Sequence, residues 1–162
     1  MKRFFLPTLA VGALLSTASF AQPSSDYTSQ EGKWALNTAK SHHAAGAQIA
    51  KSSELVTTKD DGKTLQFTQS LTTEKGEILS ISFDGAYDGK PHSMHNGSTM
   101  LFKHVSANTY RDSGKRLDGA SWKETCTFSA DHTTLSCKGA DITRDGKTLP
   151  YVEVWNKTGP AA

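Results

Sequence analysis

The chain has 162 residues and a formal net charge of +2, with 36% hydrophobic and 21% charged residues. This length suits one ordinary domain, which on folding buries roughly two thirds of the surface that its unfolded chain exposes. No block of like charge is present, so the composition excludes a general electrostatic attraction for nucleic acid or anionic lipid.

The first 21 residues have the pattern of a secretory signal peptide. Lys2 and Arg3 form a basic start, an apolar run follows, and Ser19-Phe20-Ala21 has small residues where signal peptidase reads them. The apolar run is shorter than the about 20 residues that a membrane-spanning helix needs, and no later run is long enough. We therefore expect cleavage after Ala21 and export to a bacterial periplasm or the medium. The loss of Lys2 and Arg3 takes the formal charge to zero.

A flexible lead-in rich in Ser, Thr and Pro is expected over residues 22–30, followed by a single domain over residues 31–158. Within the domain, apolar and polar residues alternate in segments separated by turns such as Asn96-Gly97 and Ser113-Gly114-Lys115. Period-2 alternation puts one face of each segment on a core and the other in water. The predicted strands cover residues 33–37, 53–58, 63–72, 78–87, 91–95, 99–105, 110–112, 121–129, 133–139 and 149–157.

Residues 38–51 interrupt this alternation after the first strand. They are rich in Ala and His and predict a short helical or irregular insert, although Gly46 disfavours a helix. The remaining strands follow one another with short turns, and closing such a meander leaves no exposed sheet edge. The predicted fold is therefore all-β: a single antiparallel up-and-down β-barrel of eight to ten strands.

Cys126 and Cys137 flank a predicted hairpin tip at residues 130–132, and both lie on the apolar face of their strands. In an oxidising compartment this placement predicts a disulfide, which stabilises by about 3 kcal/mol in the chain-entropy model. A redox-active pair, the alternative, usually has the closer C-x-x-C spacing.

The segment Gly32-Lys33-Trp34 resembles the G-x-W motif that begins the first strand of lipocalins and related calycin barrels. Residues 32–41 and 152–157 also resemble small secreted bacterial lipocalin-like proteins of unassigned function. The resemblance implies that Trp34 closes the barrel floor and that a cation from the last strand, here Lys157, lies over its ring. Such a contact adds about 0.5–2 kcal/mol.

The resemblance also implies a lumen that holds a small apolar or amphipathic ligand. Alternation turns several rings inward, where they either line an open cavity or fill the barrel. Glu124 shares the inward parity of Trp122, and a buried carboxylate needs a partner. We expect Lys103 or Arg111 to pair with it, unless a bulge turns Glu124 outward. The predicted ligand-binding residues are Phe67, Phe83, Tyr87, Trp122, Glu124 and Phe128, and Ile81 joins them as an inward residue.

Neither a metal site nor a catalytic motif is predicted. His42-His43 and His92-Ser93-Met94-His95 offer copper-type ligands, but adjacent residues and residues three apart on a strand point to opposite faces. No nucleophile elbow, zinc motif or phosphate loop is present. The sequence thus favours an exported non-catalytic carrier or sensor without a cofactor, and it identifies no protein partner. A solid-core interaction module and a small hydrolase or isomerase with a site at the barrel mouth are the alternatives.

Overall fold

Eleven β-strands make up the regular structure in the computed structural model, which describes residues 27–47 and 50–161. The predicted signal peptide and residues 22–26 of the lead-in lie outside the described residues. Within them no helix could span a membrane. The strands are β1 Gly32–Leu36, β2 His42–His43, β3 Ala50–Asp60, β4 Thr64–Thr73, β5 Ile78–Ala86, β6 His92–Ser93, β7 Thr99–Ser106, β8 Thr109–Lys115, β9 Ser121–Phe128, β10 Thr134–Ile142 and β11 Thr148–Gly159.

The strands form one antiparallel meander that curls into a near-closed barrel, as the alternation predicts. Their order is β5-β4-β3-β1-β11-β10-β9-β8-β7-β6, so β1 joins the two halves by pairing with both β3 and β11. A seam remains between β5 and the β6–β7 hairpin. Across this seam the His95 amide donates a hydrogen bond of 3.4 Å to the Ser82 carbonyl. The described residues form no continuous ladder between β5 and β6 there.

The predicted insert contains no helix in its described part, residues 38–47 and 50–51. After β1 the chain turns at Asn37, whose carbonyl accepts the Ser41 hydroxyl at 2.8 Å, and then β2 pairs with β11. Gly46 follows with φ +89°, a left-handed backbone that ends any helical path. The helical form of the prediction is therefore wrong, because β11 supplies backbone partners that an isolated helical turn would have to replace.

The two ends of the barrel differ. The floor end holds the β3–β4, β7–β8 and β9–β10 turns, and the rim end holds the β4–β5, β8–β9 and β10–β11 turns. Trp34 is fully buried at the floor, where its indole N–H donates to the Gln30 carbonyl at 2.8 Å. Lys157 Nζ lies 5.3 Å from the centre of the Trp34 ring, and the Phe128 ring lies 5.8 Å from it. The floor is thus plugged by aromatic side chains.

Cys126 and Cys137 are directly opposite each other on β9 and β10 and form a disulfide. Both are buried in the core between the floor and the middle of the lumen. The bond therefore ties two neighbouring strands of the wall together from the inside.

Candidate functional site in the barrel lumen

A cavity of about 70 Å³ lies in the middle of the lumen. Its lining includes the apolar or aromatic side chains of Leu55, Phe67, Met100, Phe102, Tyr110 and Trp155. It also includes the polar side chains of Gln30, Gln69, Asp112, Glu124 and Glu153, which alternate with apolar ones along β4, β8 and β11. The volume suits a few water molecules or a small head group, whereas sites for drug-sized ligands span about 300–1,000 Å³.

The three carboxyl groups, Asp112 on β8, Glu124 on β9 and Glu153 on β11, form what we call the acidic cluster. Asp112 and Glu124 are directly opposite each other in the β8–β9 ladder, and both point into the lumen. Placing like charges opposite each other on adjacent strands is unfavourable, so this arrangement needs a compensating interaction.

A missing side chain on β10 makes part of that compensation possible. Gly139 lies between Glu124 on β9 and Tyr151 on β11 in the two ladders. A Cβ at Gly139 would come within 2.6 Å of Glu124 Cβ and 2.8 Å of Tyr151 Cζ. Because glycine leaves this space free, the Tyr151 hydroxyl reaches across β10 and donates to Glu124 Oε2 at 2.9 Å.

Neutral donors also serve the other two carboxyls. Trp122 Nε1 donates to Asp112 Oδ1 at 3.0 Å, and Trp155 Nε1 donates to Glu153 Oε2 at 3.2 Å. The acidic cluster is therefore held by two indoles, one phenol and a hydrogen bond shared between the carboxyls of Asp112 and Glu124, rather than by cations.

The expected ion pair of Glu124 with Lys103 or Arg111 does not form. Lys103 and Arg111 are opposite each other in the β7–β8 ladder, and both are exposed on the outer face of the barrel. They alternate with the buried Phe102 and Asp112, so the same period-2 rule that turns Glu124 inward turns them outward. The β9 ladders show no bulge at Glu124 that would reverse its direction.

Burial dominates the electrostatics of the acidic cluster. It raises the pKa of Asp112 to about 7 and that of Glu153 to about 8. Burial, and then the charge of Asp112, raise the pKa of Glu124 well above its usual value. The cluster consequently retains protons at neutral pH, where exposed carboxyls are fully ionised. The carboxyls can release those protons to solvent when a cation binds in their place, or use them to donate hydrogen bonds to a polar guest.

Two buried polar atoms at the cavity lack an ordinary N–H or hydroxyl partner among the described residues: Gln30 Nε2 has no hydrogen-bond partner, and Asp112 Oδ2 has none beyond the hydrogen bond that the Asp112 carboxyl shares with Glu124. Gln30 is 2% exposed and Asp112 is 3% exposed, and both residues line the cavity. Buried polar groups are nearly always paired with protein or with a bound molecule, because an unpaired one costs about 1–3 kcal/mol. These atoms mark the cavity as a place for a polar group.

The rim side of the cluster is bordered by a histidine of the insert. His43 stacks on the Tyr151 ring, with 5.6 Å between the ring centres. Its Nε2 lies 3.6 Å from Glu153 Oε1, too far for a hydrogen bond. Burial lowers the pKa of His43, which favours the neutral imidazole. His43 therefore adds an aromatic wall rather than a countercharge.

A cation at the rim is already engaged. The Arg116 guanidinium donates to Asp141 Oδ1 at 2.7 Å and lies 5.3 Å from the centre of the Trp122 ring. The Trp122 ring itself packs over Gly114, where a Cβ would come within 2.1 Å of it. Arg116, Asp141 and Trp122 are thus linked by an ion pair and a cation–π contact at the rim end of the barrel.

The residues predicted to bind a ligand occupy different depths. Phe67 and Glu124 line the cavity. Trp122 does not line it, but its indole N–H donates to Asp112, which does. The others pack behind or below the cavity: Phe83 against Phe67, Tyr87 against His104, Ile81 at the edge of the core and Phe128 against Trp34.

Sequence reasoning missed Asp112, Glu153, Tyr151 and Gln30. A signal was available for two of them, because Asp112 has the parity of the buried Tyr110, and Glu153 has that of the buried Trp155. No periodic pattern precedes β1, so nothing in the sequence marks Gln30 as a lumen residue.

The histidines considered for a metal do not converge. His92 Nε2 lies 2.9 Å from Asp88 Oδ1, whereas His95 is exposed. Across residues 27–47 and 50–161, the one grouping of three close potential ligands is Glu124 with Cys126 and Cys137. Its two sulfurs are joined in the disulfide and are therefore not the thiolates that bind metals.

No protein-family model matches the sequence, and no curated protein matches it. Among solved structures, the chain is similar to a redesigned beta barrel, with a TM-score of 0.51 and 11% identity over 79% of this chain and 90% of that one. It is also similar to a point mutant of the fluorescent protein UnaG, with a TM-score of 0.52 and 11% identity over 80% and 96% of the two chains. Identity this low shows the fold alone, and the fold is a near-closed antiparallel β-barrel.

Proposed function

We propose that this protein is an exported, non-catalytic binding protein of the cell envelope whose lumen takes a small amphipathic molecule. The observation that carries the proposal is the mixed lining of the cavity, in which apolar and aromatic side chains stand beside the three carboxyls of the acidic cluster. Gln30 Nε2 supports it, because this buried donor lines the cavity and has no hydrogen-bond partner among the described residues.

The cavity is large enough for only one part of an amphipathic ligand. About 70 Å³ accommodates a polar head group, so an apolar tail has to displace side chains. Met100 and Phe102 stand on β7, beside the seam at β5, and methionine adapts readily to new neighbours because it is unbranched and flexible. We expect the tail to lie along this side of the lumen.

Nuclear magnetic resonance of the indole N–H groups tests the proposal directly. The sequence contains three tryptophans, and Trp122 and Trp155 donate to carboxyls at the cavity while Trp34 donates to a backbone carbonyl at the floor. In a titration with straight-chain alcohols from butanol to dodecanol, the Trp122 and Trp155 signals should shift and saturate. Trp122→Ala should change the affinity, whereas Leu117→Ala, at an exposed rim position, should not. If no alcohol gives a saturable shift, lumen binding is refuted.

Export has its own test. Protein recovered from the periplasmic fraction of its host should have the intact mass of residues 22–162, because the signal peptide predicts cleavage after Ala21. Retention of residues 1–21 or recovery from the cytoplasm alone would contradict the assignment to the envelope.

A second candidate is an interaction module with a solid core. It is favoured by the small cavity and by the tightly buried side chains around it, with Leu135 1% and Phe83 2% exposed. Affinity purification from the periplasm distinguishes the two functions. A stoichiometric protein partner without extracted small molecules, combined with no alcohol binding, supports the module.

A further inference from the structure

We infer that the ligand of the lumen carries a protonated amine, which binds the acidic cluster formed by Asp112, Glu124 and Glu153. The inference rests on the proposed function and specifies its ligand class. It begins from an imbalance of charge: three carboxyl groups line the cavity, and none of the described residues that line it carries a positive charge.

The nearby cations are committed elsewhere. Lys103 and Arg111 face outward, and the Arg116 guanidinium is bonded to Asp141 at the rim. The partners that the acidic cluster does have are neutral N–H and O–H groups. Any net positive charge at the cluster therefore has to arrive with a guest or with protons.

One unpaired atom of the acidic cluster fits a donor from the guest. Asp112 Oδ2 is a buried acceptor that receives no N–H or hydroxyl donor from the described residues, and the Asp112 carboxyl shares a hydrogen bond only with Glu124 on that side. An ammonium group has three N–H donors and can replace that shared proton. Gln30 Nε2, the other unpaired atom of the cavity, is itself an N–H donor, so it calls for an acceptor on the guest beside the ammonium group. A guest with polar hydrogen-bonding groups satisfies such atoms, whereas a hydrocarbon leaves them unpaired.

The aromatic part of the wall also favours a cation. Rings of Phe102, Tyr110 and Trp155 line the cavity, and the face of an aromatic ring attracts a cation. An anionic head group would meet three carboxyls and no free positive charge, which is the arrangement that excludes a wrong partner. The site thus selects against fatty acids and similar carboxylates.

Proton exchange gives the binding a pH dependence. An ammonium ion has to displace protons that the acidic cluster holds near neutrality, so its affinity should rise as the pH rises through about 7 to 8. The other titratable groups that face the cluster do not compete in this range. Burial raises the pKa of Tyr110 and Tyr151 and lowers that of His43, so all three stay neutral. Asp141, at the rim, is paired with Arg116.

A matched ligand series tests the inference. Hexylammonium chloride, hexanol and sodium hexanoate share one tail and differ in the charge of the head group. We expect hexylammonium to bind at about pH 8 at least about tenfold more tightly than hexanol, as judged from the indole N–H shifts, and hexanoate to bind most weakly. The preference for the amine should shrink at about pH 6, where protons occupy the acidic cluster.

Isosteric variants connect the preference to the carboxyls. In Asp112→Asn and Glu124→Gln, the advantage of hexylammonium over hexanol, measured in the same variant, should fall to within about threefold. Glu54→Gln, an exposed position on β3, should leave the advantage unchanged. If one lumen variant does not fold, Glu153→Gln replaces it, and the comparison on the unaltered protein stands without any variant.

The outcomes separate the inference from the function on which it rests. Equal binding of hexanol and hexylammonium, or tighter binding of hexanoate, overturns the amine and leaves lumen binding intact. Failure of all three ligands, together with failure of the longer and shorter alcohols, overturns both.

Discussion

Replacing Asp112 with asparagine should make the stability of this protein less sensitive to pH. Asp112 is 3% exposed, and burial raises its pKa from 3.8 to about 7. Asparagine has the same shape and cannot ionise. Its carbonyl can still accept from Trp122 Nε1, and its amide can donate to the neighbouring Glu124.

The sign and size of the effect follow from proton binding. Below its unfolded pKa near 3.8, Asp112 is protonated in both states and its contribution to stability is fully present. Between that value and about 7, the folded protein binds the proton more tightly than the unfolded chain, so stability falls as pH rises. Two pH units of this window, from about 5 to 7, correspond to at most about 3 kcal/mol at 1.36 kcal/mol per unit.

Urea unfolding, followed by tryptophan fluorescence with the disulfide intact, measures the difference. The unaltered protein should lose up to about 3 kcal/mol more than Asp112→Asn between about pH 5 and 7. The part that Glu153 contributes should remain in both, whereas Glu124 loses the share of its pKa rise that comes from Asp112. Glu54→Gln, at an exposed carboxyl, should behave as the unaltered protein does. Equal losses in Asp112→Asn and the unaltered protein would refute the account of a carboxyl that is protonated because it is buried.

Three further changes test other parts of the structure. Gly139→Ala should lower the free energy of unfolding in urea by about 1–3 kcal/mol, because the new Cβ meets Glu124 Cβ at 2.6 Å. The control Gly159→Ala, whose Cβ has no atom within 4 Å, should lower it by less than about 0.5 kcal/mol. Similar losses in the two variants would contradict the crowding at Gly139. Removing the disulfide through Cys126→Ala with Cys137→Ala should lower stability by about 3 kcal/mol, matching the reduced protein; an intact mass that does not rise by two hydrogens on reduction would rule out the bond. Lys157→Met should lower the free energy of unfolding by about 0.5–1 kcal/mol through loss of the cation over the Trp34 ring, whereas Lys138→Met, on the outer face of β10, serves as the control that should show no such loss.

Alternation located most of the strands because one face of each strand is buried and the other is solvated. The predicted strands at residues 78–87 and 121–129 differ from β5 and β9 by one residue each. The predicted turn at Ser113-Gly114-Lys115 is wrong, because these residues lie in β8. In the structure Gly114 lies within β8 because Trp122 occupies the space where its side chain would be. The turn comes later, where the Arg116 amide bonds to the Ala120 carbonyl at 2.8 Å.

The sequence predicts that Glu124 points into the lumen, but it does not predict which side chains contact it there. Parity indicates which face of a strand a residue occupies, but it does not indicate which distant strands face it across a lumen. Tyr151 is 27 residues away in the chain and reaches Glu124 only because Gly139 has no side chain. That geometry depends on the registers of both the β9–β10 and the β10–β11 ladders, which the sequence pattern does not give. The predicted partner of Glu124 was therefore a nearby cation, whereas the partner in the structure is the Tyr151 hydroxyl.

The pairing of β1 with β11 sets the order in which the molecule can be completed. Trp34 pairs with Lys157 and Leu36 with Trp155, so residues at opposite ends of the domain share one ladder. A ribosome has to synthesise β11 before β1 can gain that neighbour, and contacts this far apart in sequence form slowly because a long loop must close first. The barrel of the nascent chain therefore stays incomplete until β11 has been synthesised. The export that we propose requires an unfolded chain, and late completion of the barrel provides one.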